Sequence, residues 1–286
     1  MSYPGTLHEY IKGKVAFEFC PSGSKKTIIF IGGLGDGLLT VPYVPLLARH
    51  LENKGWSVVQ IQLSSSFKGF GISSLDQDIK EISALVEYLR SNEGGSREKI
   101  MLFGHSTGSQ DTIHYLLNNG STVDAGILQA SVSDREAPLE MDEQTKQRLD
   151  RKAKEMVARG QKNELLSAEH AKYSFNAPIT AYRWCSLFLP GGDDDYFSSD
   201  LTSDDLKSTF GQITKPFLIA YGEKDEYTPT YVDKKKLLDA WKSCSNPEYW
   251  SKNSGLIEGA DHRVSPEASR RCLFSMVDNF LEEFNL

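Results

Sequence analysis

An apolar run over 99–103 ends in Gly104-His105-Ser106-Thr107-Gly108 and passes at once into a stretch with helical apolar spacing. A strand, a serine between two glycines and a helix in direct succession leave the backbone few conformations. The chain must turn sharply, with glycines where it would otherwise collide with itself, and the serine hydroxyl is lifted clear of the sheet edge at a helix N-terminus. A serine hydroxyl is a poor nucleophile unless geometry and a neighbouring base activate it. The pattern therefore predicts a nucleophile elbow at Ser106 and demands a base and an acid elsewhere in the chain. An ordinary βα turn would demand neither.

Both partners are found downstream. The apolar run 216–220 leads into Tyr221-Gly222-Glu223-Lys224-Asp225, and a second short strand reads into Gly259-Ala260-Asp261-His262. Serine, then aspartate, then histidine is the order of a triad on a doubly wound sheet, unlike the orders of the two major serine-protease folds. His262 is expected to take the Ser106 proton, and Asp225 to hold its ring in the right tautomer. Asp134, at the end of the strand predicted over 125–130, is the rival acid one strand earlier. Glu223 and Asp261 read as loop caps. Of the other histidines, His105 is expected to pack or hydrogen-bond beside the nucleophile. His114 falls on the following helix, His8 in the N-terminal strand region, and His50 and His170 among charged helical neighbours.

An oxyanion hole needs two backbone N–H groups aimed at the developing charge. One is expected from Thr107, the residue after the nucleophile. The other is expected from Leu34, in Gly32-Gly33-Leu34-Gly35-Asp36-Gly37, where glycines let the main chain approach a substrate closely. A dinucleotide loop would need a further glycine where Leu38 stands, and Asp36 would repel a phosphate, so the nucleotide reading is rejected.

Short apolar runs alternate with longer helical patterns. Strands are predicted over 16–20, 27–31, 57–62, 99–103, 125–130, 217–220 and 255–257. Helices are predicted over 42–51, 75–89, 109–117, 231–241 and 266–284. This rhythm implies one α/β domain over 1–286 with a mostly parallel sheet flanked by helices and its site at the C-terminal strand ends. The rhythm breaks between 134 and 214, an interval too long for a loop. A mainly helical cap insertion is expected there, at about 135–214, with a charged helix over 141–159. Its later part is dense in aromatics: Tyr173, Phe175, Tyr182, Trp184, Phe188 and Phe197. They either line a pocket for a bulky acyl group, with Trp184 as the expected selector, or form the insertion's own small core. Asp193-Asp194-Asp195 reads as a solvated loop.

The chain of 286 residues carries a formal charge of −7, which disfavours nucleic acid or an anionic membrane surface as a partner. No signal-peptide core and no bilayer-length apolar stretch is read. Cys20, Cys185, Cys244 and Cys272 are scattered without CxxC spacing and read as reduced thiols of a cytoplasmic protein. No cofactor and no metal is expected.

Over essentially its full length the chain resembles the α/β-hydrolases. More narrowly, Ile31-Gly32-Gly33-Leu34-Gly35-Asp36-Gly37, Gly104-His105-Ser106-Thr107-Gly108-Ser109-Gln110-Asp111 and Ser131-Val132-Ser133-Asp134-Arg135-Glu136-Ala137 are similar to a mainly fungal group of poorly characterised hydrolases. That group includes siderophore esterases, which open ester bonds of fusarinine-type hydroxamate siderophores inside the cell. The resemblance implies a serine esterase with a small-molecule ester substrate, a hydroxamate siderophore among the candidates. Arg135 and Glu136 would then either touch a polar siderophore backbone or form a salt-bridged hinge. A generic carboxylesterase, thioesterase or acyltransferase would use the same residues, and a non-catalytic ligand-binding protein of this fold could retain them.

Overall fold

The computed structural model describes residues 2–19, 23–137 and 141–286. One eight-stranded sheet runs through it, in the order β1-β2-β4-β3-β5-β6-β7-β8. A hairpin of β1 (Gly5–Ile11) and β2 (Lys14–Phe19) forms one edge, and β2 pairs antiparallel with β4 (Trp56–Ile61). The rest is parallel: β4, β3 (Lys26–Ile31), β5 (Lys99–His105), β6 (Ala125–Gln129), β7 (Phe217–Gly222) and β8 (Gly255–Ile257). This is the α/β-hydrolase topology.

Parallel strands buried on both faces read as unbroken apolar runs, and alternate residues feed two cores. Ile29, Ile31, Ile100 and Leu102 face α2 (Leu75–Arg90), α3 (Thr107–Asn119) and α8 (Lys234–Cys244). Ile28, Phe30, Met101 and Phe103 face α1 (Val44–Glu52) and α9 (Glu267–Glu283). The helices begin where local chemistry starts them. The Ser74 side chain accepts from Gln77 N–H ahead of α2, and Asp233 accepts from Lys235 and Lys236 N–H ahead of α8. That cap places the start of α8 three residues after the predicted 231.

Between β6 and β7 lie α4 (Glu143–Ala158), α5 (Ala168–Lys172), α6 (Ala181–Phe188) and α7 (Ser203–Ser208). Leu149 and Ala153 of α4 pack on Trp184, Leu187 and Phe188 of α6 in a third, separate cluster. Tyr196, Phe197, Leu206 and Phe210 join the core of the sheet instead. The strand β1 was not predicted as an element of its own. It is a largely exposed antiparallel edge, where the apolar signal is thin. Cys20, read above as a reduced thiol, lies outside the described residues; Cys185, Cys244 and Cys272 are free thiols. No helix among the described residues is long and apolar enough to cross a membrane.

Candidate active site

Only Ser106 separates β5 from α3, and it takes a strained positive-φ conformation, φ 56°, ψ −126°. Such a conformation costs a non-glycine residue on the order of 1–3 kcal/mol and persists only where its surroundings enforce it. Here they do. Ser106 N–H donates to Gln129 O at 3.0 Å, and Ser109 N–H donates back to Ser106 O at 2.7 Å. Ser109 Oγ bridges to Gln129 O at 2.9 Å and to Gly104 O at 3.2 Å. A Cβ at Gly104 would overlap the Gly108 carbonyl, and one at Gly108 would overlap the Ile31 carbonyl. The two glycines thus let helix, elbow and β3 close on one another. Ser106 occupies the helix N-cap but makes no side-chain cap, so its hydroxyl is not committed to the helix.

His262 and Asp225 come from the loops after the neighbouring strands β8 and β7. His262 Nδ1 lies 2.8 and 3.0 Å from the two Asp225 carboxylate oxygens, and the residues are only 5% and 3% exposed. Tyr227 N–H donates to Asp225 Oδ1 at 3.0 Å and its ring packs edge-on against the imidazole. His262 N–H donates to Glu226 Oε2 at 2.9 Å. Glu223 and Asp261 cap the same loops, accepting from Gly259 and Ser265 N–H. A buried carboxylate on Nδ1 leaves Nε2 as the free base. Asp134 lines the same cavity but is not paired with His262: its Oδ2 accepts from Gln110 Nε2 at 2.7 Å. Burial, with Asp194 adding to it against the opposing Arg183, pushes its carboxyl up to about 8.

In the loop after β3, Asp36 Oδ2 accepts from Gly33 N–H at 3.0 Å and Asp36 N–H returns to Gly33 O at 3.0 Å. A Cβ on Gly33 would stand 2.6 Å from Ser106 Cβ and 3.1 Å from its Oγ, so the loop lies directly over the serine. Leu34 follows at the wall of the same cavity, and Thr107 opens α3, where helix N–H groups lack intrahelical acceptors. Asp36 also meets Arg263 Nη2 at 3.2 Å. Beneath the site, Gln129 Oε1 receives Tyr43 OH at 2.9 Å and meets His105 Nδ1 at 2.5 Å, while Gln129 Nε2 donates to His262 O at 3.4 Å. Burial, reinforced by His262, pushes His105 down to about 4 against the pull of Asp36, which makes it a neutral brace.

Ser106 and His262 share a cavity of about 720 Å³. Phe67, Lys68 and Phe70 reach it from the 3₁₀ turn Phe67–Ile72; Lys172, Tyr173, Phe175 and Phe188 come from the segment between β6 and β7. Lys68, Lys172 and Arg263 give its wall three cations. None of these three, nor the Phe67–Ile72 turn, stood out in the sequence; a run of serines before an aromatic–glycine stretch carries no periodic signal. Among the described residues no three His, Cys, Asp or Glu side chains are grouped as metal ligands would be.

The aromatic group divides. Tyr173, Phe175 and Phe188 line the cavity, while Phe197 stacks in the sheet core. Trp184 is buried against Phe188 and His170, with Nε1 donating to Asp150 Oδ1 at 2.8 Å, and does not line the cavity. The acidic triplet is not a solvated loop either. Asp194 is buried against Arg183 at 2.6 Å and Asp195 pairs with Arg135 at 3.0 Å, so only Asp193 is exposed. Arg135 and Glu136 turn away from the cavity to Asp195, Asp200 and Ser199, in a polar latch between the two ends of the segment.

The chain belongs to the family described as a protein of unknown function, DUF1749, whose model matches residues 1–282. It is 36% identical to a UPF0613 protein of Schizosaccharomyces pombe, over 98% of this chain and 96% of that protein. It is 32% identical to the fusarinine C esterase sidJ of Aspergillus fumigatus, over 92% of this chain and 90% of that one. The structure of the siderophore hydrolase EstB from Aspergillus fumigatus aligns with a TM-score of 0.84 at 31% identity, covering 99% of this chain and 98% of that one.

Proposed function

We propose that this DUF1749 member is a carboxylic ester hydrolase that opens ester bonds of fusarinine-type hydroxamate siderophores within the cell. The observation that carries the catalytic part is a strained serine at the floor of a cavity whose wall holds a histidine braced by a buried carboxylate. In this reading Ser106 Oγ attacks the ester carbonyl as His262 Nε2 takes its proton. Asp225 orients the ring and stabilises the imidazolium. The N–H groups of Leu34 and Thr107 receive the oxyanion. Collapse of the tetrahedral adduct expels the alcohol, which takes its proton from His262. A water, deprotonated by the same base, then hydrolyses the acyl-Ser106 ester.

Segment 135–214 would act as a cap, with Tyr173, Phe175 and Phe188 shaping room for a bulky group. The siderophore substrate is supported by the named relatives and by a cavity large enough for more than a short acyl chain. Splitting a ligand that grips iron through linked hydroxamates removes its multivalent advantage and eases release of the metal.

A fluorophosphonate probe tests the nucleophile: labelling of wild type and not of Ser106→Ala is expected, and no labelling would leave a ligand-binding protein. Wild-type turnover of ferric and iron-free fusarinine-type esters beside short acyl esters tests the substrate. Hydrolysis of short acyl esters alone would reduce the function to a generic esterase.

A further inference from the structure

The motif Ser133-Asp134-Arg135-Glu136-Ala137 is mostly structural. Ser133 Oγ bonds Ser198 Oγ at 2.7 Å, Arg135 grips Asp195 and Asp200, and Glu136 accepts from Ser199 N–H at 2.7 Å. Those contacts pin the residues on either side of Asp134 to one partner segment. Asp134 alone among the three charged residues of the motif lines the cavity of Ser106, and it has no ion-pair partner among the described residues.

Gln110 fixes its carboxyl. Gln110 lies one helical turn beyond Ser106 on α3, and its Nε2 donates to Asp134 Oδ2 at 2.7 Å. The carboxyl makes no other side-chain hydrogen bond among the described residues; its own backbone N–H also donates to it and opposes, without outweighing, the upward push of burial. We propose that Asp134 determines specificity by donating a hydrogen bond from this carboxyl to an uncharged carbonyl oxygen in the acyl half of the substrate, favouring acyl groups that carry an amide or hydroxamate. The inference rests on Ser106 being an ester-cleaving nucleophile. The acyl half becomes bonded to Ser106 in the first half-reaction and stays there until the second, close to the carboxyl that Gln110, one turn along α3, holds.

Donation requires a protonated carboxyl, and the surroundings favour one. Acting on Asp134 are Asp194 and Asp195 beyond α6 and Arg183 on α6. Arg183 is matched by Asp194 at 2.6 Å, and Asp195 by Arg135. The same cavity is also lined by Lys68, Lys172, the Asp36–Arg263 pair, His105 and His262. Among the described residues no ion pair forms at Asp134 to compensate a charge there, and desolvation of this half-buried group pushes its carboxyl up to about 8. Above that pH the group becomes an acceptor and repels a carbonyl oxygen.

The test compares ethyl N-acetylglycinate with ethyl pentanoate, acyl chains of equal length that differ by one amide and do not titrate. Their kcat/KM ratio cancels changes in Ser106, His262 and the amount of folded enzyme. In wild type the ratio should fall roughly fivefold or more as pH rises through about 8. Asp134→Asn keeps a donor and should keep the preference while losing its pH dependence. Asp134→Leu should lose the preference at every pH. A ratio that ignores pH in wild type, or that collapses equally in the Asn and Leu variants, would overturn the proposal.

An infrared difference spectrum between wild type and Asp134→Asn needs no turnover. It should show the carbonyl band of a protonated acid below about pH 8 and lose it above. Its absence below that pH sinks the inference, whereas failure of wild type to cleave either ester sinks the esterase reading.

Discussion

Arg263 Nη2 lies 3.2 Å from Asp36 Oδ1, so the residue after His262 is joined to the carboxylate that holds Gly33 N–H. Arg263 also donates to Thr40 O at 2.8 Å. The loop bearing the candidate base and the loop over Ser106 are thereby held as one unit. Asp36 is buried and Arg263 is 45% exposed, so the two ends of the pair differ in weight. Losing Asp36 frees the glycine loop, whereas losing Arg263 leaves Asp36 still bonded to Gly33. Asp36→Ala is expected to lower kcat by about ten- to a hundredfold and Arg263→Ala by only a few-fold, since half-exposed pairs contribute about 1 kcal/mol or less. Steady-state kinetics on a simple acyl ester, with melting curves beside them, checks the order.

Asp225→Asn should lower kcat by ~10⁴ with the fold intact, because the wrong tautomer of His262 then faces Ser106. A loss below tenfold would place the acid elsewhere.

Gly33 has no left-handed φ, so alanine there brings no backbone strain of that kind; the added Cβ meets Ser106 at 2.6 Å. Gly33→Ala should suppress both turnover and fluorophosphonate labelling while remaining folded. Gly108→Ala, whose Cβ strikes the Ile31 carbonyl, should lose thermal stability as well. Circular dichroism melts separate the two cases.

Phe175, 55% exposed at the cavity, and Trp184, 1% exposed in its own cluster, should behave differently. Phe175→Ala is expected to depress kcat/KM several-fold for a fusarinine-type ester and hardly at all for p-nitrophenyl acetate. Trp184→Ala should instead cost about 3–5 kcal/mol of stability. Equal losses on both esters in the Phe175 variant would remove that residue from the substrate pocket.

Asp134 also leaves a signature in stability. The native carboxyl keeps its proton up to about pH 8, whereas in the unfolded chain it ionises near its ordinary value of about 4. Between those limits the unfolded chain binds fewer protons than the native one, so this group's contribution falls as pH rises. The melting temperature of Asp134→Asn relative to wild type should climb from about pH 4 to about pH 8 and level off above. A flat difference would mean that the carboxyl ionises normally.

Local signals were enough for the elbow, the alternation of strands and helices, and the order of the candidate serine, acid and base. An apolar run with period-two burial, glycines around a turn and a capping serine or aspartate all act within a few residues, so they are written in contiguous sequence. Choices among distant partners were not. Asp225 and Asp134 look alike as acids at strand ends; only the pairing of β7 with β8 brings Asp225 to a histidine 37 residues away. The aromatics of the segment between β6 and β7 share a composition, yet the packing of α6 on α4 turns Trp184 inward while Phe175 stays at the cavity. Asp193, Asp194 and Asp195 form one charged run that arginines 11 and 60 residues upstream divide between surface and interior. Asp36 and Arg263 meet across 227 residues. Such contacts depend on strand order and helix placement, which arise when the sheet assembles and leave no periodic trace in the chain.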